Sequence, residues 1–250
     1  MSYISADHLV KKYGTGAAAV TAVQDINFNV EAGEFVSIMG ESGAGKSTLL
    51  SIMGAMNPPT SGRFIVDDID VYKLSSEKRT DFRREFIGFV FQSFHLIPYL
   101  TVVENVMLPL TIVPTSRKRK HALAKAALYQ VGLSGKEKRL PSQISGGEKE
   151  RVAIARAIFN EPPLVLADEP TGNLDSKTSL EVMELLQRLN KKGTTILMVT
   201  HSPECAGYAE RIMTVSDGRL AEKYGDPTRP VNVFPLKSET HDIRSDICFG

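Results

Sequence analysis

The sequence has no tryptophan, only two cysteines and no long uninterrupted apolar run, and these absences exclude several classes of protein. Cys205 and Cys248 lack the paired spacing of a metal or disulfide site, so we expect free thiols in a reducing compartment. No stretch approaches the roughly 18 to 20 uncharged apolar residues that a membrane-crossing helix needs. Residues 1–7 lack the basic and apolar regions of a signal peptide. We therefore expect a cytoplasmic protein that could still lie against a membrane through a partner.

The charge is almost balanced, because 30 lysine and arginine residues are matched by 29 aspartate and glutamate residues. A protein without a strong positive field has no general attraction to DNA or RNA, so we do not expect nucleic acid as a main partner. One basic run is a weak signal for nuclear import or a membrane surface: Arg117-Lys118-Arg119-Lys120. Such a run more often forms the solvated start of a helix, and we expect that structure here.

Strand-length apolar segments alternate with helical patterns, which is typical of a largely parallel sheet covered by helices. The buried type of strand is predicted at residues 35–39, 86–91, 164–167 and 195–199. Two earlier segments, near residues 3–10 and 26–30, alternate more clearly and predict an antiparallel flank. After Gly218 the chain loses its periodicity, so we expect an irregular tail over residues 224–250.

Strand signals stop between about residues 92 and 143, where we expect a helical insert. Thr101 and Glu104 have the spacing of a capping box, which predicts the start of a helix. A second helix is predicted from residue 117 to 131. We therefore place a helical subdomain at about residues 93–160 within an α/β domain.

Residues 40–47 fit the phosphate-binding pattern G-x-x-x-x-G-K-[ST], and they lie between a predicted strand and a predicted helix. Glycines let backbone N–H groups turn toward phosphates, and the following helix contributes its dipole. Lys46 would neutralise the β and γ phosphates, Ser47 would help to hold Mg²⁺, and Thr48 could contact the α phosphate. Glu41 is unusual beside such a pocket, and we expect it to point outward. Nucleotide contacts are predicted for Gly40, Glu41, Ser42, Gly43, Ala44, Gly45, Lys46, Ser47 and Thr48.

Polar side chains follow three of the buried strands. Asp168 and Glu169 are neighbours, and strand alternation predicts that they point to opposite faces and have different roles. Asp168 suits Mg²⁺ coordination, and Glu169 suits deprotonation of an attacking water, although alone it could equally be a surface acid. His201 and Gln92 would reach the same edge of a parallel sheet, near the γ phosphate, Mg²⁺ or water. A lone histidine is more often structural, but the combination favours a catalytic edge.

A second glycine-rich turn, Ser145-Gly146-Gly147-Glu148, opens another predicted helix. Ser145 and Glu148 have the spacing of a capping box. The start of such a helix can bind an anion, while a plain helix cap is the alternative. One chain alone does not indicate which phosphate would bind there.

In their order, these motifs resemble the nucleotide-binding domain of ATP-binding cassette (ABC) transporters over roughly residues 1–223. Gln92 corresponds to the Q-loop, residues 144–148 to the signature, residues 173–175 to the D-loop, and His201 to the switch histidine. Tyr13 stands where that family has an aromatic side chain that stacks on adenine, although local packing is the alternative. The resemblance implies an α/β P-loop NTPase core with a mostly parallel sheet, an antiparallel β flank and a helical insert.

The resemblance also implies a head-to-tail homodimer that encloses two ATP molecules. The phosphate loop of one chain would face Ser145 and Gly147 of the other, and Asp175 would lie at the seam. A separate integral-membrane permease is implied, with this chain on the inner face of the cell membrane. The implied catalytic residues are Glu169, His201, Gln92 and Lys46, and the implied Mg²⁺ ligands are Ser47, Gln92 and Asp168.

Within the family, the sequence resembles the branch of lipoprotein-releasing, macrolide-export and antimicrobial-peptide-resistance ATPases. The segments concerned are 88–92, 104–106, 109–110 and 167–175. Residues 93–100 would then line a groove for a helix of the permease, or alternatively form the core of the insert. The chain departs from the commoner family residues at three positions: Glu148 replaces glutamine, Ile144 replaces leucine and Glu41 replaces proline.

Two other functions stay open at this point. A soluble ATPase of this family that acts on ribosomes or chromosomes would need a second cassette, a long coiled coil or a basic face, and the sequence shows none. A nucleotide-gated structural clamp would use slow hydrolysis only to reset its dimer. Asp168, Glu169 and His201 favour real turnover but do not fix its rate.

Overall fold

A computed structural model describes residues 2–224. The predicted tail and Cys248 lie outside the described residues, apart from Tyr224. The strands are β1 (Ile4–Tyr13), β2 (Val20–Val30), β3 (Phe35–Met39), β4 (Ser61–Val66), β5 (Ile69–Asp70), β6 (Ile87–Phe91), β7 (Leu164–Asp168), β8 (Thr195–Thr200), β9 (Arg211–Ser216) and β10 (Arg219–Tyr224). The α-helices are α1 (Lys46–Met53), α2 (Ser76–Phe86), α3 (Val102–Met107), α4 (Arg117–Gln130), α5 (Gly146–Ile158), α6 (Ser176–Asn190) and α7 (Pro203–Ala206).

The larger sheet has the order β10-β9-β3-β8-β7-β6, and all of its pairs are parallel except β9 with β10. The four strands predicted as buried are therefore neighbours in one sheet. The register places Met39 opposite Thr200, and Asp168 opposite both Val199 and Phe91. The carboxyl ends of β3, β6, β7 and β8 consequently meet at one edge, where the chain changes direction.

A smaller antiparallel sheet with the order β2-β1-β4-β5 forms the predicted flank. Its inward side chains, such as Leu9, Ile26 and Phe64, are fully buried in a core shared with α1 and with one face of the parallel sheet. The predicted class, α/β with a mostly parallel sheet and an antiparallel flank, is confirmed.

The insert is helical, since the described residues 92–163 contain no strand. Helix α3 begins at a capping box in which Thr101 accepts from the N–H of Glu104 and Glu104 accepts from the N–H of Thr101. Helix α4 begins at Arg117 as predicted and ends one residue early. Helices α3 to α5 share one core with the other face of the parallel sheet, through residues such as Leu128 and Val165.

The loss of periodicity after Gly218 does not mark the end of regular structure. Residues 219–224 form β10, which pairs with β9 in a two-residue hairpin. Its turn residues, Asp217 and Gly218, have φ values of 49° and 74°, and a type I′ turn requires such positive φ values at both positions. An Asp-Gly pair between apolar segments is the sequence signal for such a hairpin, and that signal was overlooked.

Candidate functional site

The phosphate loop leaves β3 at Met39 and enters α1 at Lys46. Gly45 has a φ of 98°, and a Cβ there would lie 2.1 Å from the carbonyl oxygen of Ala22. A Cβ at Gly40 would lie 2.2 Å from the carbonyl oxygen of Val215. Both ends of the loop therefore require glycine, because neighbouring backbone approaches them closely.

Lys46 is buried, with 8% of the residue exposed. Its ammonium group donates to the carbonyl oxygens of Gly40 and Glu41, both at 2.8 Å. Among the residues that the structure describes, no carboxylate forms an ion pair with it. A buried cation without an anionic partner is costly, so the site fits a phosphate ligand.

A cavity of about 640 Å³ opens beside Lys46, within the size range of small-molecule sites. It is formed where the ends of β3, β6, β7 and β8 meet. Most of the predicted site residues line it together: Glu41, Ser42, Gly43, Gly45, Lys46, Ser47, Thr48, Gln92, Asp168, Glu169 and His201. Glu41 is exposed and lines this cavity with them.

Asp168 and Glu169 both line this cavity, so the expectation that strand alternation separates them does not hold. The reason is local, because β7 ends at Asp168 and Glu169 adopts a left-handed φ of 47°. Their environments nevertheless differ. Burial and the charge of Glu169 raise the pKa of Asp168, while Lys46 opposes that shift.

The carboxylate of Glu169 is held by the residues that follow β8. One oxygen lies 2.9 Å from Nδ1 of His201. The other accepts from the hydroxyl of Thr200 at 3.3 Å and from the N–H of His201 at 3.4 Å. Glu169 is largely buried, while the His201 side chain is 68% exposed. A buried base is thus presented to the cavity beside an accessible imidazole.

The oxygen donors at this edge suit Mg²⁺. Ser47, Gln92 and Asp168 supply a hydroxyl, an amide and a carboxylate to one cavity. Within residues 2–224, no cluster of three or more His, Cys, Asp or Glu side chains is arranged to hold a metal by itself. Mg²⁺ usually keeps several waters and binds jointly to protein and phosphate oxygens, so this sparse donor set fits it.

The second glycine turn does not line the cavity of its own chain. Ser145 caps α5, and the capping box with Glu148 is complete in both directions. The carboxylate of Glu148 also forms an ion pair with Lys136, which lowers the pKa of Glu148. The acid that replaces the commoner glutamine is therefore charge-compensated within the fold.

Asp175 caps α6, and both of its carboxylate oxygens accept hydrogen bonds from one residue, Thr178. Its two carboxylate oxygens accept from the N–H of Thr178 at 3.0 Å and from the Thr178 hydroxyl at 2.7 Å. A Cβ at Gly147 would lie 2.1 Å from Cγ2 of the same threonine. The signature turn and the segment at residues 173–175 are consequently packed as one unit.

Tyr13 ends β1 and is 43% exposed, outside the lining of the phosphate cavity. Its hydroxyl accepts from the side-chain amide of Asn57 at 2.7 Å, and Nζ of Lys11 lies 5.2 Å from the ring centroid. The Tyr13 ring is therefore held in place while part of its surface stays exposed.

Sequence reasoning missed Asn57 and Lys136 because their contacts join segments that are distant along the chain.

A second cavity of about 360 Å³ is mainly apolar. Phe89, Phe91, Pro109 and Ile112 line it, and Ile112 is 74% exposed. We call this cavity the apolar groove. Residues 93–100, which were expected to line such a groove, are not part of its lining. Leu96 of that segment instead packs against the core of the insert, in agreement with the alternative reading.

The sequence pattern of one protein family, described as ABC transporter, matches residues 23–172. The lipoprotein-releasing system ATP-binding protein LolD of Bordetella pertussis is 44% identical over 218 residues, which are 87% of this chain and 94% of that protein. The macrolide export ATP-binding/permease protein MacB of Rhodopirellula baltica is 44% identical over 217 residues, which are 86% of this chain and 32% of that longer protein.

A solved structure gives the same result. The dimeric, post-hydrolysis state of the ATP-binding cassette MJ0796 of Methanocaldococcus jannaschii, bound to ADP and Pi, matches with a TM-score of 0.82 at 42% identity. The match covers 89% of this chain and 99% of that chain. Within residues 2–224, no helix combines the length and the apolar character needed to cross a membrane.

Proposed function

The chain belongs to the ABC transporter family, and from this premise we propose that its phosphate-loop cavity is the site that binds and hydrolyses ATP. The protein is the ATP-hydrolysing subunit of an ABC transporter, it works as a dimer with ATP and Mg²⁺, and it drives a membrane permease. The observation that carries the site is the buried ammonium of Lys46, without an anionic partner among the described residues, in a cavity with Asp168, Glu169 and His201.

The residues of the cavity divide the reaction between them. Lys46 binds the phosphates, and Ser47, Gln92 and Asp168 hold Mg²⁺. Bound Mg²⁺ supplies charge neutralisation on the phosphate oxygens. Glu169 takes the proton of the attacking water at its carboxylate, which suits a largely buried base held by two hydrogen bonds and by the contact with Nδ1 of His201.

The predicted site residues outside the cavity contact the ATP of a second copy of the chain, or the adenine ring. Ser145 and Gly147 start α5 away from their own phosphate loop, so in a head-to-tail dimer they bind the γ phosphate of the other chain. Gly146 and Glu148 belong to the same turn, and Asp175 lies at the seam beside it. The Tyr13 ring stacks on adenine. Residues 1–223 form the ATPase domain, with a helical subdomain at about 93–160.

The permease is expected to dock at the apolar groove. An exposed apolar cavity marks a protein interaction site, and it could receive apolar side chains from one face of a short helix. Docking there holds the chain at the inner face of the cell membrane. Two of the named relatives are the ATP-binding protein of a lipoprotein-releasing system and a macrolide export ATP-binding/permease protein. By analogy, this chain powers export, lipoprotein extraction or mechanical transmission through its permease.

The direct test of the catalytic assignment is Glu169→Gln. Because it removes a general base and keeps the shape of the side chain, we expect ATP turnover to fall about 10²- to 10⁴-fold while ATP binding persists. Phosphate release and binding of labelled ATP measure the two properties separately. Glu161→Gln, at an exposed position outside the cavity, is the matched control. Unchanged turnover in Glu169→Gln would refute the assignment.

A further inference from the structure

A chain of polar contacts runs from Glu169 to the short helix α7. The carboxylate of Glu169 accepts from the hydroxyl of Thr200 at 3.3 Å. The oxygen of that hydroxyl accepts in turn from the N–H of Ser202 at 3.1 Å. The side chain of Ser202 then caps α7, accepting from the N–H of Cys205 at 3.3 Å. The path thus leads from the cavity to the buried Cys205.

The chain of contacts closes on itself at Cys205. Its sulfur lies 3.2 Å from the hydroxyl oxygen of Thr171, and both residues are buried. Thr171 follows Glu169 by two positions, and the carbonyl oxygen of Glu169 accepts from the N–H of Gly172 at 2.9 Å. The contacts therefore form a ring that starts and ends at Glu169.

The ring joins the segment after β7 to the segment after β8, beyond the last paired residues, Asp168 and Val199. Glu169 has left its strand with a φ of 47°, and a non-glycine residue keeps such a backbone only where its surroundings determine it. The other segment follows the carboxyl end of β8 and begins with His201. Outside the ring, the N–H of Glu169 donates to the carbonyl oxygen of Val199 at 2.9 Å, and the Glu169 carboxylate contacts His201 directly.

We propose that the contact between Thr171 and Cys205 positions the carboxylate of Glu169 against His201, and thereby sets the rate of ATP hydrolysis. The proposal rests on the role of Glu169 as the base. Thr171 and Cys205 are positioning residues, since neither lines the phosphate cavity. Both line a neighbouring cavity of about 230 Å³, which Glu169 and His201 also line. Substrate affinity should consequently be independent of this contact.

Three variants test the contact: Cys205→Ala, Thr171→Val and Cys205→Ser. The first two remove the interaction, and we expect each to lower kcat about tenfold while KM for ATP changes less than about twofold. Cys205→Ser keeps a group that can hydrogen bond to Thr171, so we expect it to retain more than about half of the activity. The double variant Thr171→Val/Cys205→Ala should be no slower than either single one, since both remove one interaction.

Thr195→Val is the matched control. Thr195 is also a buried threonine with one hydrogen-bond partner, the N–H of Gly33, but it lies at the opposite end of β8. We expect its kcat to equal that of the unchanged chain. Thermal unfolding of every variant, followed by circular dichroism, confirms that rates are compared among folded proteins.

The proposed positioning role of the contact is refuted if Cys205→Ala keeps full kcat, or if Cys205→Ser is as slow as Cys205→Ala. A different result would refute the assignment of Glu169 as the general base. Full turnover in Glu169→Gln would refute that assignment and, with it, this proposal. A slow Glu169→Gln together with a fully active Cys205→Ala would refute only the positioning role of the contact.

Discussion

At the scale of single residues, Glu148 shows how the chain accommodates an acid where its family more often has glutamine. The side chain completes the cap of α5 through the N–H of Ser145, as a glutamine would. The added charge is met by Lys136, whose ammonium lowers the pKa of Glu148. A phosphate approaching the start of α5 thus meets a neutral pair and a favourable helix dipole.

Removing the ammonium group of Lys136 should leave the negative charge of Glu148 without its ion-pair partner. Lys136→Met removes the main cause of the lowered pKa of Glu148, but the hydrogen bonds with Ser145 still lower that pKa, so Glu148 stays ionised at neutral pH. We expect ATP-driven dimerisation to weaken about fivefold at low salt and less at high salt, since the repulsion is partly screened. Size-exclusion chromatography of the Glu169→Gln background, across ATP concentrations, measures it.

Two variants control for other effects of Lys136→Met. Lys138→Met removes an exposed lysine that makes no ion pair with a described residue, and it should leave dimerisation unchanged. Adding Glu148→Gln to Lys136→Met should restore the affinity. If the double variant stays weak, the ion pair has a structural role and charge compensation at the phosphate site is excluded.

Sequence motifs predicted most residues of the cavity, because each motif fixes a local spacing that the fold then brings to one edge. Pairs that join distant segments gave no such signal. Thr171 with Cys205, and Asn57 with Tyr13, become neighbours only through strand order and loop packing. The relation between Asp168 and Glu169 was mistaken for a similar reason, because the point where a strand ends is set by its neighbours as much as by its sequence.

At the scale of secondary-structure elements, strongly apolar strands and capped helices were predicted well. Helix α2 was missed, because its charged sequence buries only Phe82 and shows no apolar stripe. Helix α6 was also missed, although its apolar residues recur at helical spacing and Asp175 provides a cap. β10 was missed because its turn was not recognised.

The apolar groove is also a product of several elements, since β6, α2 and the turn after α3 meet there. Ile112→Glu places a charge in it at a side chain that is already 74% exposed, so the fold should tolerate the change. We expect the permease to be lost when the tagged chain is purified from mild-detergent membranes, because desolvating a carboxylate in a mainly apolar interface is costly. ATP turnover of the isolated chain should be unchanged.

Tyr129→Glu is the matched control for the groove. Tyr129 is 76% exposed on α4 and does not line the groove, so this variant should retain the permease. Retention of the same membrane partner by Ile112→Glu would place the permease contact elsewhere. Recovery of the unchanged chain without any membrane protein would favour a nucleotide-gated clamp.

At the scale of the whole molecule, the phosphate loop and the signature turn of one chain do not share a cavity. The proposed head-to-tail dimer would bring each phosphate loop to the signature turn of the other chain, so every ATP site would draw on both copies. The motifs of one chain do not indicate this arrangement by themselves, and in Sequence analysis only the family resemblance implied it.

Mixed dimers of two inactive variants test the arrangement. Lys46→Ala removes the phosphate cation, and Ser145→Arg blocks the signature turn, so homodimers of either variant have two defective sites. In a head-to-tail mixed dimer both defects fall in one site, and the other is entirely unchanged. We therefore expect equimolar mixing to restore ATP turnover, to at most about a quarter of the wild-type rate if half of the dimers are mixed and one site of two works in each. If each site were built from one chain, both sites of a mixed dimer would be defective, and mixing would restore nothing.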